Sequence, residues 1–468
     1  MTGPLAPDLC IIGAGSAGLA VAAGAAQMGA AVVLVERGLM GGDCLNFGCV
    51  PSKSLLAAAR LADLARRAAA LGIASARPEV DFAAAADGVQ GVIAAIAPND
   101  SVERFEGLGV RVLRREARFT SPSTIRAGDI EIRPRRFVIA AGSFPAVPAI
   151  PGLAEVRYLT NETIFVNRER PNHLIVIGGG PIGIEMAQAH CRLGARVTVL
   201  DVGPVLPRDD PELVASLAGR LVSEGIAIRP GVAIAGIERD GDTIVIRLAD
   251  GERIAGSHLL VAAGRRPSIE ALDLPAAGIE ATAQGITVDA RLRTTNRRAF
   301  AIGDVAGGPQ FTHIALYHAG IVIRNALFRL PARVDYRALP WVTYTDPELA
   351  QVGVTQAAAG EDARVLRWPF SENDRAQTER DTEGLVKVVL GRNGRVIGAS
   401  ILGTGAGDLI LPWALAISQK LKIGALANLI VPYPTRGEAS KRAAGCYYTP
   451  TLFSPRTRRL VRFLARFG

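Results

Sequence analysis

Cys44 and Cys49 stand five residues apart in the segment GGDCLNFGCVPSK, Gly41 to Lys53. Two thiols this close can bind a metal or exchange electrons as a dithiol–disulfide couple. In an ideal helix the spacing would separate them by about 8 Å, beyond the roughly 7 Å that a disulfide spans between Cα atoms. The turn must therefore be irregular, and Gly48 and Pro51 supply the means. A zinc site needs two further Cys or His ligands nearby, and none occurs between Cys49 and His173. The five cysteines, Cys10, Cys44, Cys49, Cys191 and Cys446, are an odd and sparse set, unlike a secreted disulfide scaffold. A redox-active pair is the expectation. The Ala- and Leu-rich stretch Ser54 to Ala70 reads as a helix, which puts the pair near a helix N-terminus, where a thiolate is stabilised.

Such a pair needs an electron source, and an internal repeat supplies two candidates. Leu9 to Glu36 reads LCIIGAGSAGLAVAAGAAQMGAAVVLVE, and Leu174 to Asp201 reads LIVIGGGPIGIEMAQAHCRLGARVTVLD. The copies align without a gap at an offset of 165 residues, matching Gly13, Gly15, Gly18 and Glu36 with Gly178, Gly180, Gly183 and Asp201. Each reads as strand, G-x-G-x-x-G turn, helix, and a second strand ending in an acid. The first glycine permits the tight turn, the second lets backbone amides approach a pyrophosphate, and the third lets the helix pack on the strand. The phosphate then meets the positive end of the helix, and the acid accepts hydrogen bonds from the adenosine ribose. One such motif is weak evidence, but two in full context predict two bound dinucleotides. The first copy runs directly into the cysteine pair, so it should hold the redox cofactor and the second the electron source. Asp201 would favour a free 2′-hydroxyl, and no Arg follows it until Arg208, so NADH is expected over NADPH.

At 468 residues the chain exceeds a single hydrophobic core. The net charge of +9 could suggest nucleic acid or membrane, but five of the positive charges, Arg456, Arg458, Arg459, Arg462 and Arg466, lie in the last segment. No nucleic-acid motif accompanies them, and aromatic residues are few. Leu9 to Val35 carries no charge, yet five glycines punctuate it, and the nucleotide unit explains it better than a membrane span. No basic region precedes it as in a signal peptide, so a cytoplasmic protein is expected.

These residues resemble the pyridine nucleotide–disulfide oxidoreductases, the family of lipoamide dehydrogenase, glutathione reductase and mercuric reductase. The likeness runs from Leu9 to about Pro450. It implies an α/β fold of two Rossmann-like domains, for FAD and NAD, and an α+β dimerisation domain. The expected division is 1–150 and 271–338 for FAD, 151–270 for the nicotinamide, 339–452 for the interface and 453–468 for a basic tail. AAGSFPAVPAIPG (Ala140 to Gly152) resembles the crossover out of the FAD domain and VAAGRRPS (Val261 to Ser268) the exit from the NAD domain. FAIGDVAG (Phe300 to Gly307) resembles the second flavin motif, in which Asp304 would bind the ribityl chain, and VTYTDPELAQVG (Val342 to Gly353) opens the interface domain. By the same resemblance Cys44 exchanges with the acceptor, Cys49 lies against the flavin, and Lys53 sits near the flavin N5 and pairs with Glu185. Further cofactor contacts are implied for Ser16, Ala17, Arg37, Gly42, Asp43, Ala117, Ala141, Gly142, Ser143, Gly264, Phe311 and Thr312. No resident metal is implied, and the implied assembly is a homodimer sharing its active site.

One departure is informative. In lipoamide dehydrogenase and glutathione reductase a His, held by a Glu five residues later, moves the thiol proton during exchange. Here the segment reads VPYPTRGEASKRAAG, Val431 to Gly445, with Glu438 present and Tyr433 in the His position. The last histidine is His318, so no register shift restores the base. A phenol, with a pKa of about 10, is a poor base at neutral pH. Dithiol turnover should be slow, and a soft metal ion, which meets thiolates directly, fits better. Mercuric reductase carries a Tyr in the matching place. It also ends in a Cys-Cys pair where this chain reads RRLVRFLARFG, which weighs against physiological mercury reduction. Cys446 reads as a small buried residue rather than a relay thiol. The expected acceptor is a small molecule or metal ion, with a lipoyl-type dithiol as the second reading. The third is a redox-sensing flavoprotein acting through a protein or membrane partner.

From Leu460 the apolar positions 460, 461, 463, 464 and 467 have helical spacing with Arg between them. A terminal helix packed on its own dimer is the favoured reading. Weak contact with an anionic membrane is the alternative.

Overall fold

The computed structural model describes residues 4–73, 79–360 and 363–467. They divide into two compact units, one built from the chain up to Val202 with Arg229–Val334, the other from Gly203–Ile228 with Asp335 onward.

The first unit contains both repeats. Leu9–Ile12 and Val32–Val35 are short, wholly buried apolar strands, as a parallel sheet covered on both faces requires. They pair in parallel with each other, and the sheet continues through Arg136–Ile139 and Ala299–Ala301 on one side and Val110–Leu113 on the other. The uncharged stretch that might have spanned a membrane is thus strand, helix Ser16–Gln27 and strand. Among the described residues no helix is long and apolar enough to cross a membrane. The Ala-rich helix Ser16–Gln27 packs closely on helix Thr312–Ala326, where a Cβ at Gly24 would fall 2.8 Å from the Ile323 side chain. In the second repeat, strand His173–Ile177 pairs in parallel with Arg196–Leu200 and His258–Val261, and helix Pro181–Arg192 follows the glycine turn.

The second unit centres on a five-stranded antiparallel sheet in the order Pro340–Thr343, Glu348–Gly353, Val396–Gly403, Leu385–Leu390, Arg364–Pro369. Its apolar core gathers around Trp413, Phe370 and Ile401. Helix Pro211–Ser223 belongs to this unit. Its cap Asp210 and first-turn Glu212 both accept hydrogen bonds from the buried Lys387 ammonium on the sheet, each at 2.7 Å.

Candidate active site

The two repeats fold into the same backbone device. Gly13 and Gly178 adopt φ of +105° and +117°, where an L side chain is strained. A Cβ on Gly18 would fall 1.8 Å from the Gly13 carbonyl oxygen, and one on Gly183 would fall 1.9 Å from that of Gly178. Only glycine lets each helix lie on its own turn. Gly15 and Gly180 are the residues preceding the helices, and neither helix start carries a side-chain cap. A Cβ would meet nothing within 4 Å at Gly180 and only the Gly42 Cα, at 3.9 Å, at Gly15. Uncapped amides over a surface kept clear of side chains fit a pyrophosphate at each helix start. The residues present fit two dinucleotides.

The acids that end each second strand also brace the turns. Glu36 accepts from the backbone N–H of Ala14 at 2.5 Å and of Gly38 at 2.6 Å, and Asp201 accepts from that of Gly179 at 2.6 Å. A cavity of about 160 Å³ beside the first turn is lined by Gly13, Glu36, Arg37, Ala117 and Ala141, five of the expected flavin contacts.

The thiol loop lies directly on the first turn. The Gly41 N–H donates to the Ala14 carbonyl at 2.9 Å, and a Cβ on Gly42 would fall 2.6 Å from the Gly15 Cα. Cys44 lies in the short helix Gly42–Asn46, and Cys49 is the first residue of helix Cys49–Arg67. This helix starts five residues before the expected Ser54, because Pro51 falls within its first turn, where its missing N–H is no loss. Between the cysteines Gly48 closes the loop, since a Cβ there would fall 2.9 Å from the Asp43 carboxylate. The two thiols hydrogen-bond each other. That bond, with Thr312 and the Lys53 charge, lowers the Cys49 pKa from 9.0 to about 6 against the opposing effects of burial and Asp43. Cys44 is raised by the same hydrogen bond and by burial. The reduced pair therefore keeps its proton on Cys44 and its charge on Cys49, at the positive end of a helix.

Polar partners surround the loop. The Thr312 hydroxyl lies 3.3 Å from the Cys49 sulfur, and Ser16 hydrogen-bonds Cys44. The Lys53 ammonium donates to Glu185 at 2.8 Å, joining helix Cys49–Arg67 to helix Pro181–Arg192, with Glu185 buried. Asp43 receives hydrogen bonds or ion-pair contact from Asn161 at 2.9 Å and Arg265 at 3.1 Å. Arg265 also donates to Ser143 Oγ at 2.7 Å, and Ser143 donates to Asp304 at 2.5 Å. Burial raises the Asp304 pKa, and Ser143 and Arg265 counter it. Strands Ser143–Pro145 and Arg265–Pro267 pair antiparallel, with Gly142 accepting from the Ser268 N–H at one end and Gly264 from the Ala146 N–H at the other. Phe311 precedes helix Thr312–Ala326, and Ala17 packs in the core beneath Gly303. His318 is buried, takes the N–H of Gly303 on Nδ1 at 3.1 Å, and has its pKa lowered by burial to about 4. It is a neutral brace.

Sequence reasoning missed Arg265 and Asn161. Both are buried or nearly so and both hold Asp43. Arg265 was visible inside VAAGRRPS, but an Arg in a short exit strand gives no sign that it points inward.

Tyr433 and Glu438 lie in the second unit and do not pair with each other. Tyr433 is exposed and donates to the Asp374 carboxylate at 2.8 Å, which raises its pKa. Glu438 opens helix Glu438–Gly445 and accepts twice from Arg442, at 2.8 and 3.0 Å. The Glu that would orient a His is thus occupied by its own helix, four residues on. Cys446 is half-buried against the core of this unit. Among the described residues no group of His, Cys, Asp and Glu is arranged to hold a metal.

Residues 7–319 match the family description "Pyridine nucleotide-disulphide oxidoreductase", and residues 339–444 match the dimerisation domain of the same family. The chain belongs to the pyridine nucleotide–disulfide oxidoreductases. Among curated relatives, mercuric reductase of Streptomyces lividans is 38% identical over 451 residues, spanning 93% of this chain and 95% of that one. Dihydrolipoyl dehydrogenase of Geobacillus stearothermophilus is 34% identical over 452 residues, with 93% and 95% covered. Among solved structures, the Cu(II) complex of the HOCl-induced flavoprotein disulfide reductase RclA from Escherichia coli superposes with a TM-score of 0.85 at 28% identity, covering 93% and 98%. LpdA from Mycobacterium tuberculosis gives 0.87 at 27%, covering 95% and 99%. This oxidoreductase is therefore a flavoenzyme of the FAD- and NAD(P)H-dependent type. Its dimerisation domain supports a homodimer.

Proposed function

We propose that this flavoprotein uses NADH to reduce a soft metal ion or another non-thiol acceptor at Cys44. Tyr433 and Glu438 of the partner subunit would complete the site. When bound, FAD supplies the two-electron link between the nicotinamide and the sulfur pair. Gly13, Gly15, Ser16, Glu36, Arg37, Ser143 and Asp304 are the proposed hold on FAD, and Gly178, Gly180, Gly183 and Asp201 that on the nicotinamide nucleotide. The carboxylate of Asp201 favours a ribose 2′-hydroxyl over a 2′-phosphate.

Cys49 carries the charge of the reduced pair, and Cys44 carries the proton that must leave before an ion binds there. Oxidising this thiol–thiolate pair to the Cys44–Cys49 disulfide releases two electrons and the one proton on Cys44. That reduces one two-electron acceptor such as Hg(II), or two Cu(II) ions to Cu(I). Lys53, paired with Glu185, holds positive charge near Cys49 and disfavours its protonation.

The observation that carries this reading is Tyr433 bonded to Asp374 where a disulfide-exchanging enzyme of this family has a His on a Glu. A phenol whose pKa is raised further is a donor, not a base at neutral pH. The relatives named mercuric reductase and the solved Cu(II) complex are consistent with it. The test is anaerobic reduction by NADH followed by challenge with Hg(II), Cu(II), lipoamide, glutathione disulfide and quinones. The reading requires a metal ion or quinone to reoxidise the pair faster than either disulfide. Rapid dihydrolipoamide turnover by the unaltered enzyme would overturn it.

A further inference from the structure

The helix Pro455–Leu464 has no buried residue. It is capped by Ser454, whose hydroxyl accepts from the Thr457 N–H at 3.1 Å, and Pro455 occupies its first turn. Every residue from 458 to 467 is exposed, including Leu460, Val461, Phe463, Leu464 and Phe467 at 54–74%. At 3.6 residues per turn these five fall within one arc of about 160°. Phe467 stays on that arc, since its ring meets the Phe463 ring edge-on at 5.2 Å. Arg458, Arg459, Arg462 and Arg466 fall within the opposite arc of about 100°. From Ala439 to the last residue the sequence contains no Asp or Glu and seven Lys and Arg. The segment also lies outside both matched domains, which end at residues 319 and 444.

An occupant of this surface must be apolar where the Phe and Leu side chains enter and anionic where the arginines lie. A nucleic acid satisfies only the second requirement. A second copy of this chain would pair through the matched dimerisation domain, which ends at residue 444, before this helix. A bilayer containing anionic lipid satisfies both, with the apolar arc in the acyl boundary and the arginine stems reaching back to the headgroups. The geometry points to this helix as a reversible anchor to anionic lipid surfaces. One helix of ten residues, about 15 Å long, makes a weak anchor. A homodimer would carry two, and the second would bind at an effective concentration set by the first.

The test is co-sedimentation of the full flavin-loaded chain with vesicles of phosphatidylcholine alone or mixed with phosphatidylglycerol. The mixed vesicles should retain at least about tenfold more protein, and added salt should release it. A chain ending at Ser454 and the double variant Phe463→Ser/Phe467→Ser should stay in the supernatant. Arg458→Gln and Arg462→Gln should each weaken binding about fivefold. All variants should keep NADH oxidation with a soluble acceptor, because none touches the thiol site. Equal partitioning of full and shortened chains would overturn the proposal. So would a shortened chain that sediments as monomers while the full chain ignores vesicles, which would make the helix a dimer strap. Retention of single-stranded RNA with the serine variants undiminished would also overturn it, leaving a generic polycation.

Discussion

Around Cys44 and Cys49 each polar group is held by a neighbour that is itself held. Asp43 is fixed by Asn161 and Arg265, Arg265 by Ser143, Ser143 by Asp304, and Lys53 by Glu185. At Tyr433 and Glu438 the polar groups point to near neighbours within their own unit and remain open to solvent at the phenol. The first region fixes which sulfur is charged. The second has a network of its own, Arg436 with Glu379 and Asp381, but Tyr433 and Glu438 bond to Asp374 and Arg442 instead. Under the proposed function the electron chemistry belongs to the thiol loop and the proton chemistry to a replaceable side chain.

The largest effect that would sharpen this contrast is loss of a sulfur. Cys44→Ser or Cys49→Ser should lower acceptor reduction by about a thousandfold or more. NADH should still bleach the flavin in stopped-flow absorbance, and a serine variant retaining a tenth of the rate would break the comparison. Next, Gly18→Ala forces a Cβ into the Gly13 carbonyl, and the protein should purify without flavin colour. Gly183→Ala, the same clash in the second repeat, should keep its colour and raise the KM for NADH about tenfold, a loss of uniform binding. If both variants lost flavin, the two turns would not serve separate nucleotides.

A smaller effect concerns pH. The Cys49 pKa is lowered to about 6, so the thiolate is present above that pH and is lost as pH falls through it. The thiolate absorbance of the reduced protein should titrate near 6. Lys53→Met should move that midpoint upward by about one unit, since a nearby positive charge favours the ionised thiol. No movement would show that the hydrogen bond from Cys44 alone sets it. The smallest effects belong to the second region. Tyr433→Phe should change metal-ion reduction less than about threefold, and Tyr433→His should raise dihydrolipoamide oxidation about tenfold, below the usual yield of a general base because Glu438 is engaged by Arg442.

The repeats were legible because Gly18 and Gly183 answer local demands, the carbonyls of Gly13 and Gly178 in their own turns, although Gly13 and Gly178 themselves abut Ala140 and Ala262 far along the chain. The dithiol was legible for the same reason, and the early start of its helix was missed only because Pro51 was read as a breaker. The buried chain from Arg265 to Asp43 and Asp304 was not legible. It joins residues from separate stretches of the chain, and nothing in the spacing of an Arg, a Ser and two Asp predicts that they converge. The partners of Tyr433 and Glu438 escaped notice in the opposite way. Arg442 sits one helical turn from Glu438, an ordinary i,i+4 pair that could have been anticipated.

Gly42 rests against Gly15 with no room for a methyl group between them. Any substitution that repositions the sulfurs must therefore deform the turn proposed to hold the flavin pyrophosphate, so the loop tolerates little tinkering. Adapting such a protein to a new oxidant has to proceed by changes at a distance from the thiols. Tyr433, which lies in the second unit, can be exchanged without altering Gly42 or Gly15.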